Sequence, residues 1–379
     1  MEFSVQRADL LKELTLSQGV IERKTTIPIL SNILLDASGE LLRMTATDLE
    51  LGIRSSCAAK VKKPGSTTAP AKKLFDYVRQ LEEPEIRFKT VESAAGAALQ
   101  VTCGRSTVRM AGMPKENFPV LPDMPAKLAA IPPSLFAQMI RRTVFAISNE
   151  ESRYTLNAGL LILKPETMTM VATDGHRLAH VEAEPNSDNE RYSGISGELR
   201  VLVPKKAMTE LARLLGDVEE GAAMEFAKDD NHLFFQIGTR LLISRMLSGQ
   251  FPNYEAVMPK GNDRKVALPT EALTAAVRRV ALFSDERSHA VRLQLNKDEV
   301  KISSTGSDAG EGAEDALEAS YAGAPLQMGF NWQYLLDFLG AAGAETVTFE
   351  FKDEQSAGQM RPEAEDRLRY RYVVMPMRI

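Results

Sequence analysis

The sequence predicts an α+β protein made of three similar domains, each with two helices packed on antiparallel sheet. The chain has 379 residues, of which 44% are hydrophobic, which is enough for two or three domains with buried cores. Helix-like segments recur in pairs at intervals of roughly 130 residues, and short strings of identical residues recur between them. A repeat of this length corresponds to a whole domain rather than to one unit of a solenoid.

The helices are predicted from apolar residues at helical spacing. The first helix of each unit is expected at residues 7–21, 133–147 and 269–283. The second is expected at residues 70–81, 204–215 and 330–341. Pro70 and Pro204 open two of the second helices, and proline suits the first helical turn because its missing N–H would be unpaired there. The third copy lacks this proline.

Strand-like stretches surround the helices. They alternate apolar and polar residues at 85–89, 99–103, 201–203, 223–228 and 346–352. This order of strands and helices favours antiparallel sheet with the helices on one face.

Two short strings mark corresponding places in the first and second units. Ala-Thr-Asp occurs at residues 46–48 and 172–174, and Phe-Pro occurs at 118–119 and 251–252. Each Phe-Pro pair lies where one unit passes into the next. The predicted domains therefore span residues 1–125, 126–259 and 260–379.

Composition excludes several classes of protein. Cys57 and Cys103 are the two cysteines, too few for a disulfide scaffold or a Cys-rich metal site, and both lie in strand-like runs typical of core thiols. No cationic leader with an apolar stretch opens the chain, and no apolar run is long enough to span a membrane. We expect a cytoplasmic protein.

Positive charge is concentrated on the predicted helices. Together they carry +6, which leaves −11 for the rest of a chain whose formal net charge is −5. A run of charge is often an ordinary solvated face. Shared enrichment across corresponding helices favours instead a common surface that attracts phosphates without reading bases. From helix charge alone we predict DNA contacts at Arg141, Arg142, Lys205 and Lys206.

Catalytic motifs are absent from the sequence. It has no G-x-x-x-x-G-K-[ST] loop, no G-x-G-x-x-G and no H-E-x-x-H. Asp174, His176 and His180 could hold a metal on a helix, but residues 178–181 have a strand pattern, which would separate the histidines by about 13 Å. We predict no catalytic site, cofactor or metal, and turn-forming roles for Asp48 and Asp174.

Two alternatives stay open at this point. One is a metal-dependent hydrolase that uses Asp174, His176 and His180. The other is a sequence-specific DNA-binding regulator, which would show a strong base preference.

The C-terminal stretch, residues 372–379, is apolar and rich in methionine. It is typical of a last strand packed in the core, or of an adaptable groove for partner peptides, because thioethers pack around varied ligands.

Several strings resemble one family, the bacterial sliding clamps, which are beta subunits of DNA polymerase III. They are Ile-Pro-Ile-Leu-Ser-Asn at 27–32, Ala-Thr-Asp-Leu-Glu at 46–50, Thr-Asp-Gly-His-Arg-Leu-Ala at 173–179 and Tyr-Val-Val-Met-Pro-Met-Arg at 372–378. The resemblance covers essentially the whole chain. It implies a head-to-tail homodimer that closes a ring of six domains, with helices lining the hole. Such a ring is not an enzyme: it encircles duplex DNA without sequence preference and gives the replicative DNA polymerase its processivity.

The resemblance also implies a groove for peptides from the polymerase, the clamp loader and other replication and repair proteins. Matching motifs place in it Leu156, Thr173, Gly175, His176, Arg177, Leu178, Pro252, Val257, Tyr334, Met375, Pro376, Met377 and Arg378.

For DNA, the resemblance adds Lys24, Lys72 and Tyr154, with Thr155 in a place that some relatives fill with a second tyrosine. For the ring interface it implies Val108 and Met110 of one chain facing Leu282 and Phe283 of the other. Two loops depart from the family pattern, the acidic one at 306–315 and the one at 355–360.

Overall fold

The structure is a computed structural model that describes residues 1–22, 26–93, 96–184, 195–216, 218, 222–306, 311–363 and 367–378. The helices are α1 (Arg7–Ser17), α2 (Ala71–Gln80), α3 (Pro133–Arg141), α4 (Lys205–Leu215), α5 (Thr270–Ala281) and α6 (Trp332–Ala342). The strands are β1 (Glu2–Gln6), β2 (Asn32–Ser38), β3 (Leu41–Thr47), β4 (Leu51–Lys63), β5 (Gly65–Pro70), β6 (Glu85–Ser93), β7 (Gly96–Cys103), β8 (Ser106–Ala111), β9 (Ala129–Ile131), β10 (Ala158–Leu163), β11 (Met168–Thr173), β12 (Arg177–Ala183), β13 (Leu199–Pro204), β14 (Met224–Lys228), β15 (His232–Ile237), β16 (Arg240–Arg245), β17 (Arg264–Pro269), β18 (Ala290–Leu295), β19 (Glu299–Thr305), β20 (Gly312–Glu318), β21 (Leu326–Asn331), β22 (Thr346–Phe351), β23 (Gly358–Pro362) and β24 (Leu368–Val374).

The predicted α+β class is confirmed, since helices pack on sheets whose described strand pairs are antiparallel. All six predicted helices are present, but α3 ends at Arg141, six residues early. The Thr143 hydroxyl bonds back to the Met139 carbonyl at 2.8 Å, and a short 3-10 turn follows. Pro70 and Pro204 end strands β5 and β13, one residue before their helices, instead of occupying the first helical turn as predicted.

The chain forms two compact units, which divide the predicted central domain between them. The first contains residues Met1–Ala137 and Lys206–Met246, and the second contains Gln138–Lys205 and Leu247–Ile379.

The first unit is built on a twelve-stranded sheet. Its main path runs β8-β7-β6-β1-β4-β16-β15-β14-β9, and β2, β3 and β5 branch from it. Phe3 and Phe88 stack with ring centroids 4.7 Å apart in its core. A buried ion pair joins Glu13 on α1 to Arg240 at the start of β16, with 2.6 Å between Oε1 and Nη2.

The second unit holds two sheets. One has eight strands in the order β13-β10-β11-β12-β24-β23-β22-β17, and the other has four in the order β20-β19-β18-β21. Phe338 stacks on Tyr372 at 5.1 Å, which anchors α6 to the middle of the larger sheet.

The repeat is visible in the strand register. Thr47 ends β3 and pairs with Gly52, Thr173 ends β11 and pairs with Leu178, and Thr305 ends β19. Thr305 pairs in the same way with Gly312, so the third sequence repeat has this turn although it lacks the Ala-Thr-Asp string. The domain boundaries at 125 and 259 stay predictions.

Both cysteines are buried free thiols, as predicted. Burial, followed by the carboxylates of Glu13 and Asp9, raises the pKa of Cys57 to about 12, so its thiol stays protonated. Among the described residues, no helix has the length and apolar character of a membrane span.

Candidate functional site

A cavity of about 210 Å³ lies on the eight-stranded sheet of the second unit, where β12 pairs with β24. It is lined by Leu156, Thr173, Gly175, His176, Arg177, Leu178, Pro252, Asn253, Tyr254, Val257, Val373 and Met375. Most of these side chains are apolar, so the cavity suits the apolar side chains of a ligand with few polar contacts.

The turn between β11 and β12 forms one wall. Asp174 Oδ1 accepts hydrogen bonds from the main-chain N–H groups of His176 at 2.9 Å and Arg177 at 3.0 Å. Thr173 Oγ1 accepts one from the N–H of Gly175 at 3.1 Å, and Gly175 has a φ of +92°, which favours glycine. The predicted turn role of Asp174 is confirmed, and Asp48 does the same for Glu50 at 2.9 Å.

Arg177 connects this wall to α6 and to the turn after α3. Its guanidinium donates to Asp337 at 2.6 Å, to Asp174 at 3.0 Å and to the Phe145 carbonyl at 2.7 Å. It also lies 4.3 Å from the ring centroid of Tyr334. Burial lowers the pKa of Arg177, but Tyr372 and the two carboxylates outweigh it and raise the pKa above its usual value. At the edge of the cavity Arg177 therefore stays charged and is paired with the carboxylates of Asp174 and Asp337.

The C-terminal segment forms the opposite wall. Leu178 pairs with Val373 across the two strands, and both pack in a buried cluster with Tyr254. The Met375 N–H donates to the His176 carbonyl at 3.0 Å. Met375 is 48% exposed and Val257 55% exposed, so the floor is buried while the rim offers apolar surface to a ligand.

The structure brings together nine of the thirteen residues predicted for the groove. The other four, Tyr334, Pro376, Met377 and Arg378, do not line the cavity. Tyr334 supports Arg177 from outside, and the Met377 N–H donates to the Gly329 carbonyl at 2.8 Å, which fastens the tail beside β21. Peptide binding by these residues stays a prediction.

Three lining residues were missed. Asn253 and Tyr254 directly follow the Phe-Pro string at 251–252, and this string could have indicated that they line the cavity. Val373 is brought in by its pairing with Leu178, which no local pattern shows. In the 355–360 loop, Ala357 packs against the buried cluster beneath the cavity.

The residues predicted to contact DNA have different environments. Lys24 lies outside the described residues. Arg141 is exposed, Tyr154 is 50% exposed, and Lys72 is exposed and pairs with Asp76 at 2.6 Å. Lys206 pairs with Asp48, whose side chain is 3% exposed, and Lys205 donates to the Ile147 carbonyl at 3.0 Å and to Asn149 at 2.8 Å.

Arg142 corrects the prediction from helix charge. It is 3% exposed, and its guanidinium lies 5.5 Å from the ring centroid of Tyr370. A buried guanidinium cannot reach a phosphate at the surface, so the predicted DNA contact is wrong for this residue. Its guanidinium packs against the Tyr370 ring inside the second unit instead.

The residues predicted for the chain interface are of two kinds. Leu282 is 80% exposed and Phe283 49% exposed, both just beyond α5. Val108 is half-buried on β8, which is an edge strand. Met110 is only 6% exposed, so its side chain packs inside its own chain, and its place at the chain interface stays a prediction.

The alternative metal site does not form. Residues Arg177–Ala183 are a strand, as the sequence pattern predicted, with His176 exposed in the turn and His180 3% exposed on β12. In the part of the chain that the structure describes, no three His, Cys, Asp or Glu side chains group closely enough to bind an ion.

His180 predicts a pH dependence of stability. Burial, followed by the positive charges of Arg371 and Arg369, lowers its pKa from 6.5 to about 4, and its ring packs against Tyr254 at 5.7 Å. Between these pH values the unfolded chain binds a proton that the folded chain does not. The stability that depends on neutral His180 is therefore complete above pH 6.5 and is lost as the pH falls, by up to about 1.4 kcal/mol per pH unit.

Urea unfolding between pH 7 and 4.5 measures this effect. Carboxylates also titrate in this range, so the wild type is compared with the His180→Gln variant. The free energy of unfolding of this variant should fall less steeply with decreasing pH than that of the wild type. The exposed His176→Gln should keep the wild-type slope. Equal slopes for His180→Gln and the wild type would contradict the assignment.

Comparisons with known proteins give the family. Models of the N-terminal, central and C-terminal domains of the DNA polymerase III beta subunit match residues 1–122, 130–253 and 255–378. The beta sliding clamp of Pseudomonas putida is 36% identical over 382 residues, covering 100% of both chains.

Solved structures agree. The crystal structure of the DNA polymerase III subunit beta from Pseudomonas aeruginosa is 36% identical, has a TM-score of 0.90 and covers 100% of both chains. A Caulobacter crescentus beta sliding clamp is 33% identical with a TM-score of 0.90, and the match covers 100% of this chain and 99% of that one. With three successive domain matches and full-length relatives of this similarity, the chain belongs to the DNA polymerase III beta subunit family, the beta sliding clamps.

Proposed function

We propose that two copies of this sliding clamp close head to tail into a ring of six domains, spanning residues 1–125, 126–259 and 260–379 of each chain. The ring encircles duplex DNA in the cytoplasm and tethers the replicative DNA polymerase to it. Like its family, the clamp is a non-catalytic processivity factor. The observation that supports the proposal is the pattern of strand pairing: two strand edges pair within the chain in one register, and a third pair of matching edges is left open.

Two strand pairs join corresponding edges inside the chain. β4, which follows the Thr47 turn, pairs with β16, and β12, which follows the Thr173 turn, pairs with β24. Gly52 lies opposite Ile243, and its counterpart Leu178 lies opposite Val373. The β4–β16 and β12–β24 pairs therefore have the same register.

The third sequence repeat has the same edge without a partner strand from within the described chain. β20 follows the Thr305 turn and ends its sheet, and β8, the counterpart of β16 and β24, ends the twelve-stranded sheet. The same register would place Val108 of one chain opposite Ala313 of another. Such a strand pair between two chains is a heterologous, head-to-tail interface. When the β8 edge of each of two chains pairs with the β20 edge of the other, the ring is closed.

The side chains at the two free edges are complementary. β20 carries Glu314 and Glu318, whereas β8 carries Arg109. Leu282 and Phe283 add exposed apolar surface next to α5, which packs on β20. A charged rim around an apolar centre is typical of stable interfaces.

The basic helix residues support loose attraction to DNA. Lys72 and Lys206 are paired with carboxylates, so much of their field is offset locally. Exposed Arg141 and Tyr154, half-buried Lys205 and the Lys24 position complete the proposed contacts. A soft, non-specific field suits a ring that holds DNA by enclosing it and must slide.

Retention on DNA tests the proposal. After loading by a clamp loader, the clamp should stay on nicked circular DNA and leave linear DNA from the ends, as measured by gel filtration of labelled protein. Blocking both ends of the linear DNA with bound protein is the control and should restore retention. Equal loss from circular and open linear DNA would refute enclosure.

The cavity is proposed to take apolar side chains of peptides from the polymerase, the clamp loader and other replication and repair proteins. Deleting residues 375–379 removes Met375 from its rim and leaves β24 intact to Val374. Loss of this apolar contact should weaken binding of a polymerase peptide by at least about 30-fold.

Fluorescence anisotropy with a labelled peptide measures that loss. The truncated protein should keep the same sedimentation coefficient as the wild type, which separates the groove from the chain interface. Unchanged peptide affinity would contradict the placement of the site.

A further inference from the structure

The turn after β3 repeats, in the first unit, the main-chain frame of the cavity. Asp48 Oδ1 accepts hydrogen bonds from the N–H groups of Glu50 at 2.9 Å and Leu51 at 2.6 Å. The Arg245 N–H donates to the Glu50 carbonyl at 2.7 Å. These bonds reproduce, one by one, those described above for the Thr173 turn.

Residues 119–124, which follow Phe118 and are called the linker below, lie directly on the turn after β3. Leu121 Cδ1 is 2.7 Å from the place that a Cβ on Gly52 would take, so a side chain at that position would have to displace the leucine methyl group. At the cavity the corresponding strand position holds Leu178. In the first unit Leu121 of the linker therefore occupies the space that the side chain of Leu178 fills in the second unit.

The pocket that receives Leu121 is apolar and formed by distant parts of the sequence. Leu121 and Met124 pack against a buried cluster of Ala227, Phe234 and Ile243. The leucine side chain thus packs on an apolar face of the sheet, as an apolar side chain of a bound peptide would.

Arg54 fixes the main chain and the acidic side chain of the same segment. Its guanidinium donates to the Leu121 carbonyl and, at 2.7 Å, to Asp123 Oδ1. The Asp123 side chain is 96% exposed, so this ion pair adds little affinity by itself and selects mainly for a carboxylate at that place.

We propose that this surface, the linker site (Gly52, Arg54, Ala227, Phe234 and Ile243), is a second peptide-binding site, which the chain occupies with its own residues 119–124. Its ligand class is an extended peptide with a leucine followed, two residues later, by a carboxylate. The proposal goes beyond the function above, which concerns the cavity on the eight-stranded sheet. Because the linker is tethered, it competes at an effective concentration on the order of millimolar or above, and a free peptide binds only when the linker lifts.

Removing the leucine from the linker tests the site. In Leu121→Gly the pocket is vacated, and a synthetic peptide with the sequence of residues 118–124 should bind to the full-length protein. Titration followed by the methyl NMR signal of Ile243 should half-saturate at a peptide concentration on the order of 1 mM. The wild type should show no saturating shift over the same range, and a peptide with glycine in place of its leucine should show none with either protein.

Val120→Gly is the matched control. Val120 is 95% exposed, so this change loosens the same linker without emptying the pocket, and the Ile243 signal should not respond. If Leu121→Gly does not fold, Leu121→Ala provides the same vacancy with less backbone freedom. A folded vacant variant whose Ile243 signal ignores the peptide, or a Val120→Gly response equal to that of Leu121→Gly, would overturn the proposal.

Discussion

Replacing both Leu282 and Phe283 with lysine should convert the proposed two-chain ring into single chains. In the single chain these side chains are 80% and 49% exposed, and burying an apolar side chain of this size contributes about 1.5–3 kcal/mol. Losing two such contacts and placing two ammonium groups in the interface should raise the dimer dissociation constant by at least about 1000-fold. Sedimentation equilibrium at micromolar protein measures the change.

Leu41→Lys is the matched control for that experiment. Leu41 is an apolar side chain 38% exposed on β3, a strand that belongs to neither edge of the proposed interface, so the variant should remain a dimer. A dimer that persists in the double variant would refute the proposed interface.

The Glu13→Ala variant should lose about 3–5 kcal/mol of stability, because it removes the carboxylate that neutralises a buried guanidinium. The side chains of Glu13 and Arg240 are 7% and 11% exposed, and Arg240 donates both from Nε at 3.1 Å and from Nη2 at 2.6 Å. Hydrogen exchange of the β16 amides measures the loss locally. The double variant Glu13→Leu with Arg240→Met should recover most of it, because no buried charge is then left.

An exposed ion pair in the same unit provides the control. Lys127 and Glu225 lie 2.7 Å apart with side chains 59% and 39% exposed, so Glu225→Ala should cost less than about 1 kcal/mol. Similar losses in Glu13→Ala and Glu225→Ala would show that burial does not strengthen the Glu13 interaction.

Sequence patterns predicted most of the fold because the relevant signals are local. Apolar spacing located all six helices, and the Thr-Asp strings located two turns in which the aspartate caps the N–H groups that follow. The third turn, at Thr305, was not found, because glycine follows the threonine there and only the strand register shows the equivalence.

The candidate site was predicted less completely because long-range packing decides it. Counting charge on a segment cannot tell which side of it faces solvent: Arg141 is exposed, whereas its neighbour Arg142 is buried against Tyr370. Alternation along β8 likewise places Val108 and Met110 on one face without showing that the chain itself covers Met110.

The two internal joints have one main-chain register but different side chains. Arg240 and Tyr370 hold matching places in β16 and β24, and Arg240 meets the carboxylate of Glu13 while Tyr370 meets the guanidinium of Arg142. A newly made chain therefore has several edges that could pair equally well through their backbones. If β24 docked where β16 belongs, Glu13 would be buried against a tyrosine, and the mismatch would favour release. Such a difference in side chains would favour the observed pairing of each edge over the alternative, although the main-chain register is the same.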